Sequence, residues 1–321
     1  MKEEMQATLN QTQKIRLQRA LQIFHSTSSS SLSDALVSVA DSIPVNLHDS
    51  SILKGHGTLD LDGELLSTYC GVIERIDSLV YVRSIKSRYI PETGNIVVGR
   101  VVEVGQKRWK IDVNAYHDGI LMLSSITLPD GIQRRRTAVD ELNMRNIFEE
   151  NDVISVEVRG TQNTYTAQLQ ARSDKYGKLD RGQLVVVPCY LVKKRKQHFH
   201  QLDQYGVVVI LGCNGYIWVG ELITAKDDME VDTSEPTNGG YSSFEEKEQP
   251  STPLETRQNI CRIANAIRVL SILGFNITVE VILEIFDLST SMNVEKHDML
   301  GAEFCVLVAE KEAERRSEKY G

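Results

Sequence analysis

The sequence has few cysteines and no long apolar run. Its five cysteines are scattered and never form a Cys-x-x-Cys pair, which argues against a disulfide framework and against a structural zinc site. No apolar stretch approaches the roughly 18 residues that a membrane-spanning helix needs. The first residues include Glu3 and Glu4 and lack an apolar segment, so neither a secretory nor a transit peptide fits. We therefore expect an intracellular protein with reduced thiols and no membrane contact.

The sequence also lacks the residue patterns that carry catalysis. No group of carboxylates is spaced to hold the two metal ions of a hydrolytic nuclease, and neither a nucleophile motif nor a phosphate-binding loop is discernible. Asp60, Asp62 and Glu64 lie close together, but an Asp-Gly pair at residues 62–63 between alternating residues is typical of a hairpin turn. The sequence thus predicts a protein that is not an enzyme and has no metal, no cofactor and no small-molecule substrate.

Charge is distributed unevenly along the chain. With 41% hydrophobic and 25% charged residues, the 321 residues have the composition of a globular protein of two or three domains. The net charge is −8, but residues 83–200 hold 20 lysines and arginines against 13 acidic residues, whereas residues 201–321 hold 10 against 21. A basic middle third beside acidic flanks suits a protein that offers one face to phosphates and its other faces to protein partners.

The amino-terminal part combines a helix with a small β domain. Residues 1–40 predict a flexible segment, with an amphipathic helix from Leu9 to Phe24 followed by a serine-rich linker. Residues 41–92 show short apolar runs separated by turn residues, among them the Asp-Gly pair at 62–63. We expect a small β domain over this range.

Residues 93–175 have the pattern of a five-stranded OB barrel. A helix from Thr137 to Phe148 is predicted between its third and fourth strands. OB barrels bind single strands by stacking bases on aromatic residues and holding phosphates with cations. The alternatives are a solvated basic surface for the cations and a place in the barrel core for Trp109. The candidate RNA-binding residues cluster around the predicted loops, where Tyr116 also lies: Lys107, Arg108, Trp109, Lys110, His117, Arg134, Arg135 and Arg136.

Residues 176–321 are predicted to form an α/β domain. Two apolar runs flank Gly212-Cys213-Asn214-Gly215, which predicts a hairpin in which Asn214 and Gly215 supply the positive φ angles of a type I′ turn. Helices are expected at residues 254–273 and 279–288, and residues 226–253 are an acidic, disordered insertion. The basic run at 193–196 is compatible with a nuclear-localisation signal, a phosphate contact or an exposed turn.

Several segments together resemble one known family. Asn95–Val104 reads as the first strand of an S1-type barrel, and it is accompanied by Tyr176–Leu179, Leu191–His200 and Gly212–Trp218. Gly55-His56-Gly57-Thr58 precedes them. This combination resembles the non-catalytic cap subunits of the eukaryotic RNA exosome that carry an S1 and a KH domain, of the ribosomal RNA-processing protein 4 type. The resemblance runs from about residue 43 to about residue 286.

The resemblance implies both a fold and a function. The fold is α+β and mainly β, with a small N-terminal β domain, a five-stranded OB (S1-type) barrel and a C-terminal KH-type α/β domain. The function is to bind single-stranded RNA and to guide its 3′ end into a ring of phosphorolytic-fold subunits for 3′–5′ processing and degradation, including rRNA processing. Its partners would be ring subunits and other cap subunits, in the nucleus, nucleolus and cytoplasm. The alternative is a free-standing S1/KH RNA-binding protein.

The resemblance also assigns roles to two further groups of residues. In RNA-binding KH domains a Gly-x-x-Gly loop joins two helices and clamps the RNA backbone, whereas here the motif lies between two predicted strands and carries no cation. We therefore expect a structural role, packing against the barrel, for Gly212, Asn214, Gly215 and Trp218. Docking on the ring is expected at Gly55, His56, Gly57 and Thr58.

Overall fold

The computed structural model describes residues 10–27, 36–44, 53–61, 63–76, 78–84, 88–127, 136–161, 166–222 and 252–320. Most of the predicted serine-rich linker and acidic insertion lies outside these ranges, as do Asp62, Arg134 and Arg135. The chain divides into two units, residues 1–87 with 301–321, and residues 88–300. The described elements form an α+β protein that is mainly β, as the sequence predicts.

The described residues of the first unit form, before residue 88, one helix and six short strands. Strands β5 and β6 pair antiparallel at the centre of a sheet ordered β1-β5-β6-β2, while β3 and β4 form a separate hairpin with Gly63 in its turn at φ 84°. Among the described residues, Ile43, Leu65, Val80 and Val82 form a buried apolar cluster in the β domain. The elements are α1 (Gln11–Thr27), β1 (Leu36–Val37), β2 (Leu53–Lys54), β3 (Thr58–Leu61), β4 (Glu64–Ser67), β5 (Gly71–Ile76) and β6 (Leu79–Ser84).

The second unit begins with the predicted five-stranded barrel. Its strands pair in the order β7-β8-β9-β11-β10, and β10 pairs with β7 to close the barrel. Buried and exposed or half-buried residues alternate along β8 and β11, because successive side chains point to opposite faces, whereas β7 and β10 each bury three residues in a row. A short strand, β12 (Gly177–Lys178), extends the sheet beside β10. The barrel strands are β7 (Ile96–Gly105), β8 (Arg108–Asp112), β9 (Gly119–Ile126), β10 (Val153–Thr161) and β11 (Ala167–Ala171).

The helix predicted for residues 137–148 is two short helices instead. Helix α2 spans Ala138–Leu142 and α3 spans Met144–Ile147, with a break at Asn143. The Asp140 carboxylate accepts a hydrogen bond from the backbone N–H of Thr137 at 2.8 Å, which caps the start of α2. The turn at Asn143 directs Met144 and Phe148 into the barrel core.

The rest of the second unit is a four-stranded antiparallel sheet with two long helices. The sheet is ordered β13-β16-β15-β14, and α4 packs against β13, β15 and β16. The observed bounds of α4 are those predicted, and α5 continues three residues beyond its predicted end. These elements are β13 (Gly182–Val186), β14 (Phe199–Leu202), β15 (Val207–Leu211), β16 (Tyr216–Glu221), α4 (Leu254–Leu273) and α5 (Val279–Ser291).

The turn between β15 and β16 differs from the predicted type. Among its four residues only Gly215 has a positive φ, at 84°, and Asn214 does not. The Gly215 N–H donates to the Gly212 carbonyl at 3.0 Å, so the left-handed glycine is the last residue of the turn and not one of its two central residues. The type I′ prediction is therefore wrong, because the Asn214 side chain has partners outside the hairpin that fix its backbone.

The two chain ends meet within the first unit. Helix α6 (Ala302–Tyr320) lies beside α1, and the Arg16 guanidinium donates to both carboxylate oxygens of Glu310, at 2.7 and 2.6 Å. Gln13 Nε2 donates to Glu303 at 2.9 Å. These contacts join residues that lie about 290 positions apart in the sequence, and no local pattern predicts them.

Candidate nucleic-acid interface

The exposed face of the barrel at β8 carries cations over an apolar floor. Along β8 the side chains of Arg108 and Lys110 are exposed, while Trp109 between them is buried. On the neighbouring strand Arg108 lies opposite Met122 and Lys110 lies opposite Ile120. Met122 is 43% exposed. The pleat of the sheet therefore places two cations beside apolar side chains on one face.

Two adjoining depressions form a continuous groove on this face. Both are lined by Glu103, Gly105, Arg108 and Ile120. One depression continues to Lys107, Ser124, Arg159 and Gln168, and the other continues to Lys110, Tyr116, His117 and Asp118. A groove with cations along its walls and apolar surface on its floor is the form in which OB barrels hold a single nucleic-acid strand.

The cations of the groove differ in their partners. Lys107 Nζ lies 3.0 Å from a Glu141 carboxylate oxygen, and Lys110 Nζ lies 3.4 Å from Asp118. Within the described ranges, neither Arg108 nor Arg159 has a carboxylate within ion-pair distance. Because a cation already paired must give up its partner to bind a phosphate, the two arginines are the stronger candidates for phosphate contacts.

Arg159 is a groove residue that the sequence analysis missed. It lies in β10 where the pairing with β11 is interrupted by a bulge between Val158 and Gly160. A bulge bends the strand locally and redirects a side chain, and here Arg159 reaches the groove. The sequence around Arg159 does not reveal this position, because the bulge arises only when β10 pairs with β11.

Two predicted RNA-binding residues make hydrogen bonds within the barrel. Trp109 is fully buried, its ring packs edge-on against Phe148, and its Nε1 donates to the Phe148 carbonyl at 3.1 Å. The assignment of Trp109 to RNA stacking is therefore wrong. Arg136 is half-buried, and its guanidinium donates to the carbonyls of Leu123 and Ile126. These bonds hold Arg136 near the end of β9, and its RNA-binding role stays a prediction.

The remaining predicted RNA-binding residues divide into two groups. Lys107, Arg108, Lys110 and His117 are exposed and line the groove. Arg134 and Arg135 lie outside the described residues.

The loop with the Gly-x-x-Gly motif packs against the barrel. Asn214 is fully buried, and its Nδ2 donates to the carbonyl oxygens of Val98 at 2.7 Å and Val113 at 3.0 Å. Neither glycine of the motif leaves room for a side chain. A Cβ at Gly212 would lie 2.4 Å from the carbonyl oxygen of Tyr216, and a Cβ at Gly215 would lie 2.2 Å from the carbonyl oxygen of Val187. The four residues of the loop are therefore packed inside the protein, with no space between them and the barrel for an RNA backbone.

Further contacts extend this junction between barrel and hairpin. The Tyr216 hydroxyl donates to Asp112 at 2.8 Å, and burial, together with this bond, raises the pKa of Tyr216 to about 12. Trp218 packs with Val98 of β7 and Ile210 of β15. Trp218 thus packs between the hairpin and the barrel, as expected from the sequence.

The residues expected to dock on a ring are engaged within their own domain. The His56 ring lies 5.4 Å from that of Tyr69, and Thr58 Oγ1 donates to the Gly55 carbonyl at 2.8 Å. A Cβ at Gly57, whose φ is 79°, would lie 3.0 Å from Val82. The docking role of these four residues stays a prediction.

The described residues contain no group of three or more His, Cys, Asp or Glu side chains placed to hold a metal ion. None of the helices in the described part of the chain is both long and apolar enough to cross a bilayer. All five cysteines are free thiols.

Comparison with known proteins gives two domain matches and close relatives. Residues 88–160 match the family described as RRP4, S1 domain, and residues 182–222 match the KH domain family. The chain is 60% identical over 316 residues to the exosome complex component RRP4 homolog of Arabidopsis thaliana, covering 98% of both chains. It is 33% identical over 317 residues to exosome complex component RRP4 of Saccharomyces cerevisiae, covering 89% of this chain and 88% of that one. It is 41% identical over 222 residues to exosome complex component RRP4 of Mus musculus, covering 69% of this chain and 71% of that one.

Proposed function

The chain belongs to the RRP4 family of exosome components, and from this premise we propose that it is an RNA-binding cap subunit of the exosome. It guides the 3′ end of a single-stranded RNA toward a nuclease carried by other subunits, in rRNA processing and RNA turnover. The observation that carries the proposal is the barrel groove, in which Arg108 and Arg159 have no carboxylate partner within the described ranges. Membership in this family does not favour a free-standing RNA-binding protein.

The barrel, and not the KH-type loop, is the RNA contact in this proposal. Clustered cations along a barrel groove attract the phosphate backbone, and the affinity should fall steeply with salt. Asn214, by contrast, is turned into the protein and bonded to β7. The KH-type domain then serves to hold the barrel in place.

We also infer that the chain does not cleave RNA itself. Both matched families are binding modules, and the chemistry would come from a separate 3′–5′ exoribonuclease of the complex. The partners that we propose are ring subunits of the phosphorolytic-ribonuclease fold and other cap subunits.

The small β domain is our candidate for docking on the ring. Leu59 and Leu61 lie on one face of β3, and both are at least half exposed, at 50% and 54%. Leu53 of the same unit is 60% exposed. Large apolar side chains that are exposed on a small β domain favour burial by a protein partner.

We further propose that the protein works in the nucleus and nucleolus as well as the cytoplasm. Residues 193–196 of the basic run are all exposed, which leaves them accessible to an import receptor. Fluorescence microscopy of the tagged chain tests this, and exclusion from the nucleus would contradict it.

Mass spectrometry of proteins that co-purify with the tagged full chain tests the proposed assembly. We expect ring subunits and other cap subunits at near-equal molar amounts. Recovery of the chain with RNA but without any exosome subunit would contradict the proposal.

A further inference from the structure

Tyr116 is 74% exposed to solvent. It lies in the loop between β8 and β9 and lines the same groove as Arg108. Tyrosine is an intermediate residue in burial statistics, and a ring held this far into solvent packs little of its surface within the fold. Tyr116 is therefore not part of the barrel core, and its ring is accessible beside the cationic groove.

The Tyr116 ring has cationic and aromatic neighbours. The Arg88 guanidinium lies over the ring, 5.9 Å from its centroid, and the His117 ring meets it edge-on at 4.7 Å with an interplanar angle of 89°. A cation above an aromatic ring is attracted by the ring electrons. These contacts orient the Tyr116 ring, and they add a positive charge beside it.

The loop that carries Tyr116 is fixed at its base. Ala115 forms a parallel bridge with Tyr89 and packs against the barrel core. The preceding residue, Asn114, donates from Nδ2 to the Asn214 carbonyl at 2.8 Å. The base of the loop is therefore tied both to the barrel and to the Gly-x-x-Gly loop. A contact residue that is already positioned loses less conformational entropy when a ligand binds.

We propose that Tyr116, with Arg88 and His117, forms a stacking site for one unpaired nucleobase of a single-stranded RNA. Adjacent phosphates of the same strand bind Arg108 in the shared groove. Every base has an aromatic face, so the site takes any base without reading its identity. The inference rests on the proposed function, because it assigns one subsite of the same groove.

The test compares two strands of equal charge. One is a short oligouridine RNA, and the other has the same ribose-phosphate backbone without bases. We expect Tyr116→Ala in the full chain to weaken binding of the oligouridine by about fivefold or more, in line with the loss of one base–aromatic stack. Binding of the abasic strand should be unchanged, and Tyr116→Phe, which keeps the ring, should bind both strands like the wild type.

A second variant separates this inference from the proposed function. Arg108→Ala removes a phosphate contact and should weaken binding of both strands alike. If the wild type, alone and assembled into the exosome, binds neither strand, the proposed function fails. If the wild type binds and Arg108→Ala weakens it, three results would still overturn the stacking site: Tyr116→Ala binding like the wild type, Tyr116→Ala weakening both strands equally, or Tyr116→Phe as weak as Tyr116→Ala. The thermal midpoint of Tyr116→Ala should match the wild type, since the ring is mostly exposed.

Discussion

Asn214 Nδ2, in the loop between β15 and β16, donates a hydrogen bond to the carbonyl oxygen of Val98 in β7, 2.7 Å away. The same nitrogen donates to Val113 at 3.0 Å, so one amide group satisfies two buried carbonyls of the barrel. Buried backbone carbonyls need such partners. The Gly-x-x-Gly motif of this chain therefore joins two domains and is not available to a ligand.

Asn214→Ala should destabilise the full chain. It leaves two buried carbonyls without a donor, at a cost of about 2 to 4 kcal/mol in the free energy of unfolding. Urea denaturation measures this, and Asn146→Ala, at an exposed position of α3, should lie close to the wild type. A stable Asn214→Ala protein that no longer binds RNA would show that the loop contacts RNA directly.

Tyr216→Phe should change how stability depends on alkaline pH. The pKa of about 12 in the folded protein lies above the value of about 10 for an unperturbed tyrosine. The folded state thus holds this proton more tightly, and the stability it contributes is present below pH 10 and lost as the pH rises toward 12.

The variant should therefore lose about 1 kcal/mol at pH 8, from the missing bond to Asp112, and should lose less stability than the wild type between pH 10 and 12. Urea denaturation at several pH values checks both effects. Tyr190→Phe, at a residue 42% exposed, is the matched control. Parallel pH profiles for Tyr216→Phe and the wild type would refute the interpretation.

Much of the fold follows from local sequence patterns, whereas the groove depends on how distant strands pair. Turn residues and alternation predict the barrel strands and the hairpins, and the sequence also predicts α4. They do not predict that Lys107 pairs with Glu141, or that a bulge turns Arg159 into the groove. These features depend on segments that meet only after the barrel closes. Alternation does place Trp109 on the inner face of the barrel, because its neighbours Arg108 and Lys110 are polar. Its side chain can stack on a base in principle, but a buried ring cannot reach one.

Replacing Leu59 and Leu61 together by Glu should prevent assembly into the exosome. Both side chains are exposed on β3, so the isolated chain should stay folded, while charge at a buried interface opposes association. Co-purification with ring subunits measures the loss. Leu142→Glu, on α2 and 84% exposed, should assemble normally. Full recovery of the double variant with the ring would rule out β3 as the docking surface.

The purified chain should leave single-stranded RNA intact with magnesium or with inorganic phosphate. Both domain matches are binding modules, and we assign the cleavage to other subunits. Gel analysis of a labelled RNA over time measures this. Shortening from the 3′ end that follows the chain through successive purification steps would contradict the assignment.

The affinity of the exosome assembled with this chain for single-stranded RNA tests the central claim most directly. Arg108→Glu combined with Arg159→Glu should weaken binding and reduce the salt dependence, by a slope of about 1 for each lost phosphate contact. Arg145→Glu, at an arginine outside the groove that is paired with Glu150, should bind like the wild type. We predict that only the double variant loses affinity and salt dependence. Equal affinity of the wild type, the double variant and Arg145→Glu at every salt concentration would contradict the claim that this groove binds RNA.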